Sequence, residues 1–385
     1  MKPDVIVLGL GGMGRAALAQ LANRGRRVVG IERFAPLHTF GSSHGNSRII
    51  RQAYFLDPRY VPLVLRAYEL WRELEASTGA SLMTITGGLM LGPRDSDVVD
   101  GALRSAREHA LPHEVIEYGE LRRRFPHMAF LPSETALYEP ASGYLRPEAC
   151  IHAHLARAVA AGAEARFGTK AVEWSETAEG VRVRLASGET LEAGCLVVTA
   201  GPWLAELVRD AGLALGVERQ VMHWFAPAGA SASEALERLP IFIVARPDGR
   251  GYGFPLVPGE GLKIAFYRSF EPADPDGVNR TVDESEVALV RRFAEGLIPG
   301  VTARYLGSKV CLYTMTPDEH FIIGKHPRHE RVVLAGGFSG HGFKFCSVVG
   351  EILADLATDD QTRHDIRLFS PARFSVQASS QTPVP

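Results

Sequence analysis

Cysteine is scarce in this chain: four residues in 385, at positions 150, 195, 311 and 346. None falls in a Cys-x-x-Cys pair or at a zinc-ligand spacing, and a chain of this length is far too large for a disulfide scaffold. Thiols used this way suit a reducing compartment, so the expected location is the cytoplasm. Cys195, before Leu-Val-Val, reads as a strand thiol and Cys346 as a helix-packing residue. Net charge is also nearly absent. The 42 basic and 44 acidic residues leave a formal charge of −2. Both signs are interspersed, which offers no footprint for nucleic acid or an anionic membrane. The short basic runs at 24–27 and 122–124 read as solvated helix ends. No apolar window approaches the roughly 18 residues of a membrane-spanning helix. Lys2 and the apolar run behind it imitate a signal peptide, but Asp4, the glycines and Arg15 interrupt it, so none is expected. No internal repeat was found.

What the chain does have begins at its N-terminal end. Val5-Ile-Val-Leu8 is a short apolar run of the kind that forms a buried parallel strand. Gly9-Leu-Gly11-Gly-Met-Gly14 follows at once, and residues 15–22 read as a helix. In this context Gly9 makes the tight turn, Gly11 admits a pyrophosphate, and Gly14 lets helix and strand pack closely. The helix N-terminus supplies amide donors and partial positive charge. A second apolar run, Val28-Val-Gly-Ile31, ends in Glu32, where a ribose-binding carboxylate is expected. The pattern predicts a dinucleotide site.

Further along, residues 60–80 read as a helix, 82–86 and 88–91 as strands, and 147–161 as a helix. Residues 181–185 and 190–193 alternate around a turn at 186–188, forming a hairpin. The apolar strand 195–201 ends in small residues. The section 214–306 is β-rich (241–245, 252–255, 262–267) and closes with a helix over 283–293, after which 332–335 restores the buried-strand pattern. At 385 residues the length suggests two to three domains. The expected division is a discontinuous cofactor domain (1–82, 141–213 and 307–370), a substrate-binding domain inserted in two pieces (83–140 and 214–306), and a flexible tail (371–385).

Two blocks near the C-terminal end are the most unusual. Cys311-Leu-Tyr-Thr-Met-Thr-Pro-Asp-Glu-His-Phe-Ile-Ile-Gly324 sets a cysteine before an acidic turn and an apolar strand. Gly336-Gly-Phe-Ser-Gly-His-Gly-Phe-Lys-Phe345 places four glycines around Ser339. That glycine density allows close backbone approach to a flat ligand, because no Cβ intervenes. Together with residues 9–14, Ser43-His-Gly-Asn-Ser-Arg-Ile-Ile-Arg51 and Tyr252-Gly-Phe-Pro255, these blocks resemble the monomeric sarcosine oxidase and N-methyl-amino-acid oxidase family of flavoproteins. The resemblance extends over essentially the whole chain apart from the tail. It implies an α/β (α+β) architecture like that of D-amino-acid oxidase and type 2 glutathione reductase. A Rossmann-like FAD-binding domain would be joined to a substrate domain built on a mixed β-sheet.

The resemblance further implies FAD rather than NAD, joined covalently through its 8α carbon to Cys311. It assigns Gly9, Gly11, Gly12, Met13, Gly14, Glu32, Arg33, Ser43, His44, Ser47, Arg48 and Val172 to the cofactor. Tyr313, Gly340, Gly342, Phe343 and Lys344 join them at the ring end. Arg51 and Lys344 are implied for the substrate carboxylate, a role that guanidinium chemistry suits because it binds a carboxylate bidentately. Arg48 and Arg51 sit three positions apart, which on a helical turn would put both on one face. Lys263 is conspicuous in the apolar strand Leu262-Lys-Ile-Ala-Phe266. The resemblance places it over the flavin, assisting reaction with oxygen, and a positive charge would stabilise the superoxide that forms there. Tyr252 matches an active-site tyrosine and Tyr313 another that lines the pocket. Tyr267 departs from the family, which usually carries histidine there. Tyrosine keeps a hydrogen-bonding tip but no group titrating near neutral pH.

The implied enzyme oxidises sarcosine or a similar small N-alkyl amino acid to an imine with O2 as acceptor, giving glycine, formaldehyde and H2O2. Catalytic residues would be Lys263, Arg51, Lys344, Tyr252 and Tyr267, and the substrate would be held by Arg51, Tyr313 and Lys344. Alternatives are oxidation of N-methyltryptophan, pipecolate or another secondary amino acid, decided by pocket size at Tyr267 and Met222. A nicotinamide dehydrogenase and a non-catalytic FAD-binding subunit stand further off. His320, His326, His329 and His341 crowd one region, but their spacing matches no helical ligand pair, and no metal is expected. The expected partners are the amino acid and O2, with no nucleic acid or membrane, and the expected state is a monomer.

Overall fold

The computed structural model describes residues 2–247 and 249–374. Its first layer is a six-stranded sheet in the order Ile322–His326, His329–Gly336, Cys195–Val198, Val5–Leu8, Val28–Ile31, Glu164–Arg166. All neighbours are parallel except the first pair. Val5 and Val7 face the helices Gly12–Asn23, Pro147–Ala160 and Cys346–Thr358, while Ile6 and Leu8 face a three-stranded sheet, Ala171–Thr177, Gly180–Leu185 and Thr190–Ala193. Burial on both faces is why this strand reads as an unbroken apolar run rather than an alternating one.

The second layer is a nine-stranded, mostly antiparallel sheet. Gly216–Ala226 pairs with Arg304–Met315 along its whole length, from Gly216 opposite Met315 to Ala226 opposite Arg304. Leu262–Phe266, Gly249–Gly253 and Ile241–Arg246 continue the sheet. Side chains alternate across such a sheet. Leu262, Ile264 and Phe242 face the helix Glu284–Leu297 in one core, and Met222, Trp224 and Cys311 cluster on the other face with Tyr313. Asp283 and Glu286 form a reciprocal capping box at that helix's start. A small sheet, Arg48–Ile50, Gly143–Leu145 and Met83–Ile85, joins the layers.

Three expectations change. Arg48 and Arg51 lie on and just after the strand Arg48–Ile50, not on a helical turn, because this segment bonds to Gly143–Leu145 instead of to itself. A strand turns successive side chains to opposite faces, so the two arginines serve different places. The division at 306/307 cuts the strand Arg304–Met315, which its pairing ties to the substrate-side sheet throughout. Cys311 therefore belongs to the nine-stranded sheet, opposite Gln220. Residues 371–374 form a 3-10 turn with Pro371 and Phe374 buried, so the ordered chain runs past 370. The rest of the expected tail, 375–385, lies outside the described residues.

Candidate active site

A long cleft runs along the C-terminal ends of the parallel strands, from Glu32 past the glycine turn to Tyr313 and Cys346. Gly9 has φ +90°, and a Cβ there would stand 2.7 Å from the Thr199 carbonyl oxygen. A Cβ on Gly14 would overlap the Gly9 carbonyl oxygen, so helix and strand touch backbone to backbone. Gly11 caps the helix, and Gly12 donates its amide to Ser43 Oγ at 3.0 Å. Glu32 is buried, and its carboxylate accepts the amides of Leu10 at 2.9 Å and Phe34 at 3.0 Å. Met13 is buried beside the turn. Arg33 lies against the rings of Phe34 and Trp203, its guanidinium 4.7 and 4.9 Å from their centres, and 3.1 Å from Asp276. Val172 is 40% exposed and stands outside the lining, where its neighbours Thr169, Lys170 and Ala171 are found.

These features fit a bound dinucleotide. The turn has no side chains to obstruct phosphates, the helix end offers amides, and an acid sits at the far end of the cleft. Sequence reasoning missed Arg15, buried beneath the turn, whose Nε donates to the Leu10 carbonyl at 2.7 Å. A charged residue inside an otherwise apolar helix face, Arg15-Ala-Ala-Leu, was the signal available.

The opposite end of the cleft meets the substrate-side sheet. Cys311 is 1% exposed and unpaired, and its sulfur lies 3.6 Å from Arg48 Nη2 and 3.8 Å from the Ser42 carbonyl oxygen. Arg48 also donates to the carbonyls of Ser42 at 3.0 Å and Ser47 at 2.9 Å. His44 is buried with neither ring nitrogen bonded. Burial, then the charges of Arg48, Lys309 and Lys263, pull it down to about 3, so it is neutral. Lys263 is 2% exposed and donates to the Gly45 carbonyl at 2.8 Å, the Ser47 carbonyl at 2.6 Å and Ser47 Oγ at 3.3 Å. Burial, seconded by Arg48, holds it well below an ordinary lysine. Its strand is apolar because the opposite face packs the helix Glu284–Leu297.

Beyond lies a second group of cations. Arg51 is buried, donates to the Ala53 carbonyl at 3.0 Å, and leaves its Nε unbonded. Its guanidinium is 4.3 Å from the ring centres of both Tyr54 and Phe55. Lys344 donates to the His341 carbonyl at 2.8 Å and stands 5.5 Å from the Tyr54 ring. Burial and then Arg51 push it well below the ordinary lysine value. Among the described residues neither cation has a carboxylate in contact. Buried charge without a counterion is costly, and a pair of cations left this way can take up an anion.

Tyr252 and Tyr313 are buried neighbours that share the surroundings of Arg48 and Cys311, and Gly340, at φ +79°, leaves room for the Tyr313 ring. Gly342 packs against Phe338, and Phe343 against Gly12. The Tyr267 hydroxyl is buried without a partner. Its ring lies 5.2 Å from the Arg250 guanidinium, and burial pushes the phenol up to about 12. Met222 lies against Gly45 and Arg48 and clusters with Trp224 and Cys311, whereas Tyr267 packs against the first core. Sequence reasoning also missed Tyr54, whose hydroxyl is 2.5 Å from His341 Nδ1, and Glu148 and Glu139, whose carboxylates accept backbone amides near the site.

The four histidines separate. His320 bonds Tyr60 and His341 bonds Tyr54. His326 and His329 converge with Asp210 within a span of 4.8 Å. There His329 lies between Glu176 at 3.0 Å and Asp210 at 2.9 Å, and His326 Nδ1 accepts the Arg328 amide at 3.2 Å.

Comparison with known proteins agrees with this geometry. The family model for FAD dependent oxidoreductases (DAO) matches residues 4–356. The monomeric sarcosine oxidase of Streptomyces avermitilis is 47% identical over 376 residues, covering 97% of this chain and 98% of its own. The N-methyl-L-tryptophan oxidase of Yersinia pestis is 36% identical, covering 97% and 100%. Among solved structures, NikD, an unusual amino acid oxidase essential for nikkomycin biosynthesis, has a TM-score of 0.85 at 26% identity. That match covers 96% of this chain and 97% of NikD.

Proposed function

Because the chain belongs to the family of FAD dependent oxidoreductases, we propose that it oxidises sarcosine or a similar small N-alkyl amino acid. The products are an imine, which water hydrolyses, and H2O2 from O2; sarcosine would give glycine and formaldehyde. The observation that carries this reading is the pair Arg51 and Lys344, two buried cations that, among the described residues, have no carboxylate in contact. The names of the sarcosine and N-methyltryptophan oxidases among its relatives support it.

Bound FAD supplies the two-electron redox chemistry, and the protein supplies position, charge and exclusion of water. Residues 9–14 hold the pyrophosphate and Glu32 the ribose hydroxyls. Cys311 is the residue that would hold the 8α carbon, a role its burial beside Arg48 supports. Arg51 and Lys344 grip the carboxylate, which fixes the amine and its neighbouring carbon. The Tyr252 and Tyr313 hydroxyls close one side, and the unbonded Tyr267 hydroxyl offers a donor to the substrate. No protein base is needed when the amine reacts in its neutral form. Lys263 is a fixed positive charge that favours the reaction with O2. A monomer in the cytoplasm completes the reading, supported by four unpaired thiols. Among the described residues no helix is long and apolar enough to cross a membrane.

Acid precipitation and a peroxide assay test this directly. A yellow pellet and peroxide release with N-methyl amino acids are expected. Colourless protein with free flavin in the supernatant defeats the Cys311 assignment. Peroxide release with primary amino acids alone defeats the substrate class.

A further inference from the structure

Lys263 carries its charge with no carboxylate in contact, and the way it is held points to a residue outside the site. All three of its acceptors come from one short turn: the Gly45 carbonyl, the Ser47 carbonyl and the Ser47 hydroxyl. That turn is conformationally demanding. Gly45 has φ +98° and Asn46 φ +67°, two successive residues in the left-handed region. A Cβ at Gly45 would also stand 2.6 Å from Met222 Cε. Such a backbone persists only where its surroundings impose it.

Glu148 does the imposing. It follows Pro147 in the first turn of the helix Pro147–Ala160, where a carboxylate is favoured. Its Oε1 accepts the Gly45 amide at 2.6 Å, and both of its oxygens lie 3.2 Å from the Asn46 amide. The peptides whose N–H groups point to Glu148 neighbour the carbonyls that point to Lys263. Negative charge, oriented peptide dipoles and ammonium thus form one line. The other charged or titratable groups facing Lys263 are Arg48, Lys309, Cys311 and neutral His44. Glu148 is the carboxylate among them that takes the turn's backbone amides; Glu260 touches the turn through the Asn46 side chain, which donates to it at 3.0 Å.

We propose that Glu148 is a positioning residue for Lys263: its carboxylate holds the Gly45–Asn46 turn so that two carbonyls fix the ammonium beside the flavin. This rests on the reading of Lys263 as the residue that favours reaction with O2.

Glu148→Gln tests it, since the amide keeps the shape and loses the charge. The expected variant binds FAD fully and is reduced by substrate anaerobically within twofold of wild type. Its reoxidation by O2 slows about tenfold, as for a charge loosened from its place. A crystal structure of the same variant should show Lys263 Nζ withdrawn from the Gly45 carbonyl beyond hydrogen-bond distance. Reoxidation within twofold of wild type overturns the proposal. So does equal slowing of both half-reactions, or slow reoxidation with Lys263 still in place. Should Glu148→Gln not fold, Glu148→Asp retracts the charge by one methylene and must give the same split at smaller amplitude; no split there overturns the proposal equally. Lys263→Met separates the two readings. Normal reoxidation in Lys263→Met refutes the role of Lys263 itself, whereas slow Lys263→Met with normal Glu148→Gln refutes Glu148 alone.

Discussion

Replacing Lys344 by methionine should separate binding from stability in opposite directions. In the free protein the Lys344 ammonium has one acceptor, the His341 carbonyl at 2.8 Å, and shares the Tyr54 ring with Arg51. It is buried beside a like charge, so its removal relieves a cost. Methionine fills the space of the lysine stem with a flexible apolar chain, and losing the buried like charge outweighs the single neutral acceptor, the His341 carbonyl, that it leaves without its ammonium donor. The melting temperature should equal or exceed that of wild type. With substrate bound the balance reverses, because the lost contact is a buried, charge-assisted hydrogen bond to a carboxylate. Such a bond is worth about 2–3 kcal/mol, or roughly 30- to 150-fold in the dissociation constant. Anaerobic stopped-flow reduction gives that constant, and calorimetry gives the midpoint. A binding loss under threefold together with a lower melting temperature refutes the reasoning, since it would make Lys344 a structural lysine.

Cys311→Ser should give protein whose acid pellet is colourless while FAD appears in the supernatant; a yellow pellet from this variant would place the bond elsewhere. Gly14→Ala drives a methyl group into the Gly9 carbonyl, and the expected result is loss of FAD from purified protein together with a lower melting temperature. The rate of anaerobic reduction should rise toward alkaline pH as the substrate ammonium, near the lysine reference of about 10.4, gives up its proton. Lys344 is held below that value, so KM should climb at high pH and that limb should vanish in Lys344→Met. The same depression means that the unfolded chain binds more protons than the folded one over this window, so uncomplexed Lys344 costs less stability as pH rises. A KM that stays flat from pH 8 to about 10 would contradict this assignment.

The cofactor end of the molecule was legible in the sequence because its constraints are local. Gly9, Gly14 and Glu32 stand at fixed offsets around one strand–helix–strand unit, and the apolar run at 5–8 declares a strand buried on both faces. The identity of the ring end came from resemblance, and its geometry was hidden for a physical reason. Lys263, Trp224, Cys311 and Tyr313 share a face only after distant strands pair. No spacing within one segment reports that pairing. Arg48 and Arg51 were misread as a helical pair because an interval of three carries meaning only if the backbone is helical, and here the backbone bonds to Gly143–Leu145. The domain border at 306/307 failed likewise, since a twelve-residue strand looks the same from either side until its partner is known.

The two glutamates that sequence reading passed over suggest why the site can keep its cations available. Glu139 accepts the amides of Gln52 and Ala53, each at 2.7 Å, and the Ala53 carbonyl in turn receives Arg51. Glu148 accepts the amides of Gly45 and Asn46, and the Gly45 carbonyl receives Lys263. The same device thus occurs on either side of the strand Arg48–Ile50: carboxylate, peptide, cation. A carboxylate in direct contact would neutralise each cation and occupy its donors. One peptide away, it still moderates the cost of burying the charge, because Coulomb attraction falls only as the inverse of distance where water is excluded. It also leaves Arg51 Nε without a partner, a donor that the proposed reading gives to a substrate carboxylate. Arg51 and Lys263 are therefore fixed without a carboxylate in contact for the same structural reason, which on the proposed reading leaves one for the substrate and the other for oxygen.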